Sequence, residues 1–297
     1  MTHPLRHFLE AVGTALQSDP MQARVMGSWD DPTSRPTVRI APSATPAQIK
    51  ALNETIGGPM PESLREVLQE VSARIEIAWV LRGRYVKADW GGQTVETEVT
   101  PPDALLEWNR GLNADGTAPE GAKRTPRFIS GAIRFDLNSI AAAIAGVDGW
   151  QSVYADAEGL DADTRAHFAL IRDFMGAGLP VMTAPNGDWM AIDQRDATEC
   201  LLHVSHEGED AGIEIDLTLP QFLAHQAWLG PVWCDFPQVY QFSDKVEDVI
   251  PGDHRVTEAH FSALSEQGRI WRDWFWQGSG LADPDPSLLI RCDPPTS

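Results

Sequence analysis

The chain has 297 residues, enough for one large domain or two small ones, and a hydrophobic share of 42% argues against a disordered chain. Its formal net charge of −20, from 43 acidic and 23 basic residues, has the wrong sign for direct binding to nucleic acid or an anionic membrane, where contacts to phosphate dominate affinity. The cysteines Cys200, Cys234 and Cys292 lie far apart with no CxxC, against a disulfide framework or a zinc ribbon and for a reducing, cytoplasmic setting.

"PLRHFLEAVGTALQ" places Leu5, Phe8, Leu9, Val12 and Leu16 on one side of an amphipathic helix and does not read as a signal peptide. Residues 18–44, rich in Ser, Asp, Pro and Thr, read as a linker or irregular arm around a short apolar patch, "TVRIA". "TPAQIKALNETIGG" carries a helix start in full. Thr45 is the N-cap, Pro46 sits at N1, Gln48 completes a capping box, and Gly57-Gly58 ends the helix. Pro61 and Glu62 open a second helix with Leu64, Val67, Leu68 and Val71 inward. The period then changes, and alternation of Ile75, Ile77 and Trp79 predicts a strand.

Residues 88–127 form a loop-rich insert in which "TVETEV" predicts a strand and "PDALLEWNRGL" a short helix. "FISGAIRFDL" alternates as a strand. "NSIAAAIAGVDGW" and "DADTRAHFALIRDFMGAG" predict helices, the second with Ala166, Ala169, Leu170 and Phe174 on one face. From 179 to 217 short strands alternate with polar turns: "LPVMTA", the Asn-Gly turn of "PNGD", "WMAID", "QRDAT", "ECLLHVSH", "EGEDAG" and "IEIDL". Thr218 and Gln221 make a second capping box before "PQFLAHQAWLG". "TEAHFSALSEQGRIWRDWFWQ" predicts a C-terminal helix with an aromatic stripe that includes Trp271 and Trp274.

Catalytic signatures are weak in this pattern. His203 and His206 are spaced HxxH on a strand, where residues three apart point to opposite faces, so they do not converge on a metal. Asp188, Asp193 and Asp196 lack the spacing of a calcium loop. There is no GxSxG elbow and no phosphate-binding glycine loop, and Cys200 occupies a strand position where a small buried residue belongs. The polar residues of 184–210 are therefore expected in turns and on an exposed strand face. No catalytic residue, metal or cofactor is assigned.

Two segments together resemble a family. One is "TPAQIKALNETIGGPMPESLREVLQEVS", a helix, a Gly-x-Pro-x-Pro-Glu connection and a second helix. The other is "NGDWMAID…LLHVSHEGED…LTLPQFLAHQAWLG". In order and spacing they are similar to the SUKH superfamily, the group of fungal cell-wall-assembly regulators and many bacterial toxin-immunity proteins. The resemblance spans residues 45–230, with 1–44 and 231–297 as N- and C-terminal extensions. It implies an α+β fold of helices on a mostly antiparallel sheet. It also implies a non-catalytic module that binds a partner protein, above all an immunity protein that caps the basic surface of a cognate toxin such as a nuclease. An intracellular regulator or scaffold is the alternative within the family, and a carboxylate-dependent hydrolase the alternative outside it. Asp188, Trp189, Asp193, Ser205 and His206 are the expected partner-binding residues. Trp271 and Trp274 join them if their stripe is an exposed patch instead of core.

Overall fold

The computed structural model of the chain describes residues 3–87, 93–108, 110–155, 159, 161–184, 187–204, 213–232, 242, 255–256 and 264–281, with only the backbone path for 84–87, 93–97 and 255. Helix α1 (Pro4–Gln17) sets Leu5, Phe8, Leu9, Val12 and Leu16 fully inside. His3 caps it, Nδ1 accepting the Leu5 N–H at 3.2 Å. A short helix α2 (Asp19–Gln22) and strand β1 (Val25–Met26) follow. The "TVRIA" patch is strand β2 (Thr37–Ile40) and not an irregular arm, because it finds a partner strand. Helix α3 (Pro46–Ile56) has both halves of the Thr45/Gln48 capping box and stops at Gly57, whose φ of 71° is a left-handed state that glycine tolerates. Helix α4 (Glu62–Glu66) runs on into a π-helical turn over Val67–Val71.

Strand β3 (Arg74–Leu81) buries Ile75, Ile77, Trp79 and Leu81 in strict alternation. Hairpin β4 (Gly83–Lys87) and β5 (Gln93–Thr97) comes next. The short helix expected in "PDALLEWNRGL" is instead a 3-10 turn, Asp103–Leu105, leading into β6 (Leu106–Trp108), which pairs with β7 (Arg124–Pro126). Leu105 is buried there but Trp108 and Leu112 are exposed, so no apolar stripe holds further helical turns. Strand β8 (Ser130–Asp136) lies antiparallel on one edge of β3, with Ile133 opposite Ile77. β1 and β2 share the other edge.

Asp136 ends β8 and caps helix α5 (Leu137–Val153). Helix α6 (Ala162–Ala177) buries Ile171, Phe174, Met175 and Ala177. Ala166 and Ala169, expected inward, are exposed. The helix is rolled toward its larger apolar side chains, which remove more surface from water than alanine does.

The second sheet has the order β13-β12-β11-β10-β9, built from β9 (Gly178–Thr183), β10 (Trp189–Asp193), β11 (Leu201–Val204), β12 (Ile213–Ile215) and β13 (Arg255–Val256). Its pairs are antiparallel except β12 with β13, and a register shift lies at Met190/Ala191. The fold is thus α+β, mostly antiparallel in its sheets.

This sheet is covered on both faces. Trp189, Ala191, Leu202 and Val204 pack with α6 in a smaller cluster, while Met190, Ile192 and Leu201 belong to the main core. Helix α7 (Leu219–Leu229), started by the Thr218/Gln221 capping box, lies in that main core with α1. So does helix α8 (Glu266–Ser279). The segment after α7 is fixed by three indoles. Trp276 donates to the Trp228 carbonyl at 2.9 Å, Trp271 to Gly230 at 3.3 Å and Trp79 to Pro231 at 2.9 Å. Gly131 must be glycine there, because a Cβ would meet the Pro231 oxygen at 2.1 Å. Side chains from 1–44 and from 231–297 share one core with those of 45–230. Among the described residues, no helix is long and apolar enough to cross a membrane.

Candidate functional site

β10 ends at Asp193, and the chain must reverse before β11 begins at Leu201. Side chains build that reversal. Asp193 Oδ1 accepts the Arg195 N–H at 2.8 Å, and Asp196 Oδ1 accepts the Thr198 N–H at 2.8 Å, two Asx turns in succession. Glu199 then takes φ 56°, the one non-glycine residue in the left-handed region among those described. Its carboxylate reaches across to α4 and accepts the N–H groups of Glu62 and Ser63 at 2.7 Å each. Those are first-turn donors that the helix itself cannot satisfy. The turn is thus latched onto a helix far away in sequence.

Arg195 folds back over this turn. Its Nε lies 3.0 Å and its Nη2 2.9 Å from Asp193 oxygens, its Nη1 3.0 Å from Asp173, and its Cζ 5.5 Å from the Phe174 ring centre. Glu214 is 3.9 Å away. These contacts, the Asp193 hydrogen bonds foremost, raise the guanidinium pKa above its ordinary value.

Around this arginine opens a bowl of about 350 Å³, lined by Asp193, Arg195, Asp196, Cys200, Glu214 and Asp216 beside Leu201, Leu202 and Ile215. Among the described residues, its lining holds four carboxylates and one guanidinium. Such a concavity suits the cationic side chain of another molecule, through charge-assisted hydrogen bonds to carboxylate. It does not suit thiol chemistry. Burial pushes the Cys200 thiol up to about 11; the neighbouring Thr198 hydroxyl opposes this, while Asp216 and Asp196 add to it. The thiol, 3.4 Å from Asp216 Oδ1, is protonated at neutral pH.

Of the sequence-predicted contact residues, Asp193 lines this bowl and the other described ones do not. Asp188, Trp189 and Asp193 are 4%, 5% and 6% exposed, and Trp271 and Trp274 are 2% and 8% exposed. Asp188, Trp189, Trp271 and Trp274 offer a partner no accessible face, whereas Asp193 lines the bowl. The two C-terminal tryptophans are core, with Trp271 stacked on Trp79 at 5.7 Å. Ser205 and His206 lie outside the described residues. His203, expected on an exposed strand face, is fully buried 3.3 Å from Asp188. For Trp189, Asp193 and His203 the cause is shared: both faces of the second sheet are covered. Among the described residues, no group of three His, Cys, Asp or Glu side chains is placed to hold a metal ion.

Sequence reasoning missed Arg195, Asp173, Glu214 and Asp216. The available signal was Asp193-x-Arg195 at a strand end, an Asx turn that returns a cation onto its own carboxylate. Asp173 and Glu214 come from other elements and reach the bowl only through tertiary packing. In comparisons with known proteins, no family model matches the chain, and neither a curated protein nor a solved structure matches it significantly.

Proposed function

We propose that the chain is a binding protein that docks on a basic protein through the acidic bowl, and that this partner is a toxin which it neutralises. One observation carries the reading: on a chain of net charge −20, four carboxylates, Asp193, Asp196, Glu214 and Asp216, line one concavity. The resemblance of residues 45–230 to the SUKH superfamily supports the toxin as partner. Long-range attraction between opposite charges would speed encounter. A lysine or arginine of the partner then enters the bowl, where Glu214 and Asp216 accept its N–H groups.

The test is association of the full chain with the protein encoded beside it, measured by calorimetry at low and high salt. Affinity is expected to fall at least tenfold between roughly 50 and 500 mM NaCl, and again in Glu214→Lys or Asp216→Lys, about 1.4 kcal/mol per tenfold step. Association indifferent to both salt and charge reversal would remove the bowl from the interface. Lack of any association with that neighbour would remove the toxin as partner.

A further inference from the structure

A second concavity, of about 400 Å³, lies where the two sheets meet, between β3, β8, the start of α5 and the end of β9. Ile75, Phe135, Ile140, Val181 and Met182 line it and are buried, and Ala143 of α5 closes one side. Two arginines stand at its rim, and they are used differently. Arg74 is engaged, with Nη2 2.6 Å from Glu76 and Nε 3.2 Å from Asp136. Both rim carboxylates are engaged in turn. Asp136 also accepts the Asn138 and Ser139 N–H groups at 2.7 and 3.3 Å, and Glu76 lies 3.8 Å from Arg39. Arg134 is exposed and makes no ion pair or hydrogen bond among the described residues. Two arginines and two carboxylates balance at this rim, and Arg134, opposite Glu76 in the β3–β8 register, is the one of the four whose donors stay available among the described residues.

We propose that this cleft binds a carboxylate carried on a compact apolar body, with the carboxylate on Arg134 and the body against the apolar lining. A guanidinium meets a carboxylate in a two-point hydrogen-bonded fork, the pairing for which its planar donors are suited. The Ser139 hydroxyl lies at the same rim and adds a donor. The volume falls in the range of small-molecule sites, roughly 300–1,000 Å³. The acidic field of the whole chain opposes an anion at long range, but it is screened beyond about 8 Å at physiological ionic strength, so the adjacent guanidinium decides. Two sources present this chemistry: a free small carboxylic acid and the C-terminus of a peptide that ends in an apolar residue. The inference is independent of the acidic bowl.

The experiment is calorimetric titration of the full chain with N-acetyl-leucine, with N-acetyl-leucinamide, and with an N-acetylated tetrapeptide ending in leucine with a free carboxylate. The acid is expected to bind at least tenfold tighter than the amide, a difference of about 1.4 kcal/mol. Arg134→Gln abolishes that advantage, and Ala143→Phe, which fills the cleft without touching a charge, abolishes binding altogether. Thermal melts confirm that each variant is folded. If Ala143→Phe does not fold, the acid–amide comparison in the exposed Arg134→Gln variant decides. A tetrapeptide that binds tighter than the amino acid identifies a polypeptide terminus, and equal binding identifies a free acid. Equal affinity for acid and amide, an undiminished preference in Arg134→Gln, or no heat of binding up to roughly 10 mM would each overturn the proposal.

Discussion

Glu199 is held in a left-handed backbone state by what its side chain reaches. The conformation costs about 1–2 kcal/mol for a residue with a Cβ, and the two N–H groups it accepts from α4 offset that cost. Glu199→Ala keeps the strain and loses the latch, so it is expected to destabilise by about 1–2 kcal/mol. Glu199→Gly loses the latch but also the strain, and should cost less. Urea midpoints at unchanged slope measure both, and an alanine variant as stable as the parent would show that the latch is idle. Cys200 yields a second expectation. In a Cys234→Ser/Cys292→Ser background, its alkylation by iodoacetamide should be slow at neutral pH and keep rising toward the thiol pKa of about 11. An inflection near pH 8.5, the value of a free thiol, would contradict the burial argument. At this scale the sequence was informative where a residue acts on its own turn. Thr45, Gln48, Thr218 and Gln221 cap as their spacing requires, whereas nothing local to Glu199 announces Ser63 as its partner.

For the elements, periodicity located most strands and helices, but it misjudged what covers them. The sequence expectation turns one face of β11 outward, yet every residue of β10 and β11 is buried, because α6 lies on one face and the main core on the other. The shortage of polar residues in Trp189–Ile192 and Leu201–Val204 carried a hint of this, since strands buried on two faces tend to lose alternation. Helix α6 offers a test of capping. Asp161 accepts the Thr164 N–H at 2.8 Å, and this hydrogen bond, with that from the Thr164 hydroxyl, holds its pKa below the ordinary 3.8. A carboxylate depressed in the folded state contributes stability above its unfolded pKa and loses it as pH falls through the folded value. Hydrogen exchange at the amides of Asp163 and Thr164 should therefore accelerate below about pH 4. Asp161→Asn, still a good cap but without a charge to lose, should flatten that dependence. An identical pH profile in the two proteins would refute the capping account.

Across the whole molecule, the charge of −20 is an internal stress as well as a docking field. Most of the described ion pairs involve exposed groups, such as Lys50–Glu54 and Arg124–Asp103, and pairs of that kind stabilise little. Screening should therefore relieve more repulsion than it removes attraction. The melting temperature is expected to rise by about 2–5 °C between roughly 20 and 500 mM NaCl; a fall would mean that specific ion pairs outweigh the net repulsion. By itself, the sequence determined the mixture of helices and strands, the Thr45 and Thr218 caps, the alternation of β3 and the acidic balance, because each depends on neighbours within a few residues or on a sum over all of them. Tertiary structure alone decided that the N- and C-terminal helices belong to the core, that Asp188, Trp189, Asp193, Trp271 and Trp274 are buried, and that Asp173, Arg195, Glu214 and Asp216 converge. Those outcomes depend on which surfaces meet, and the period of a strand or a helix states that a face exists without stating what lies against it.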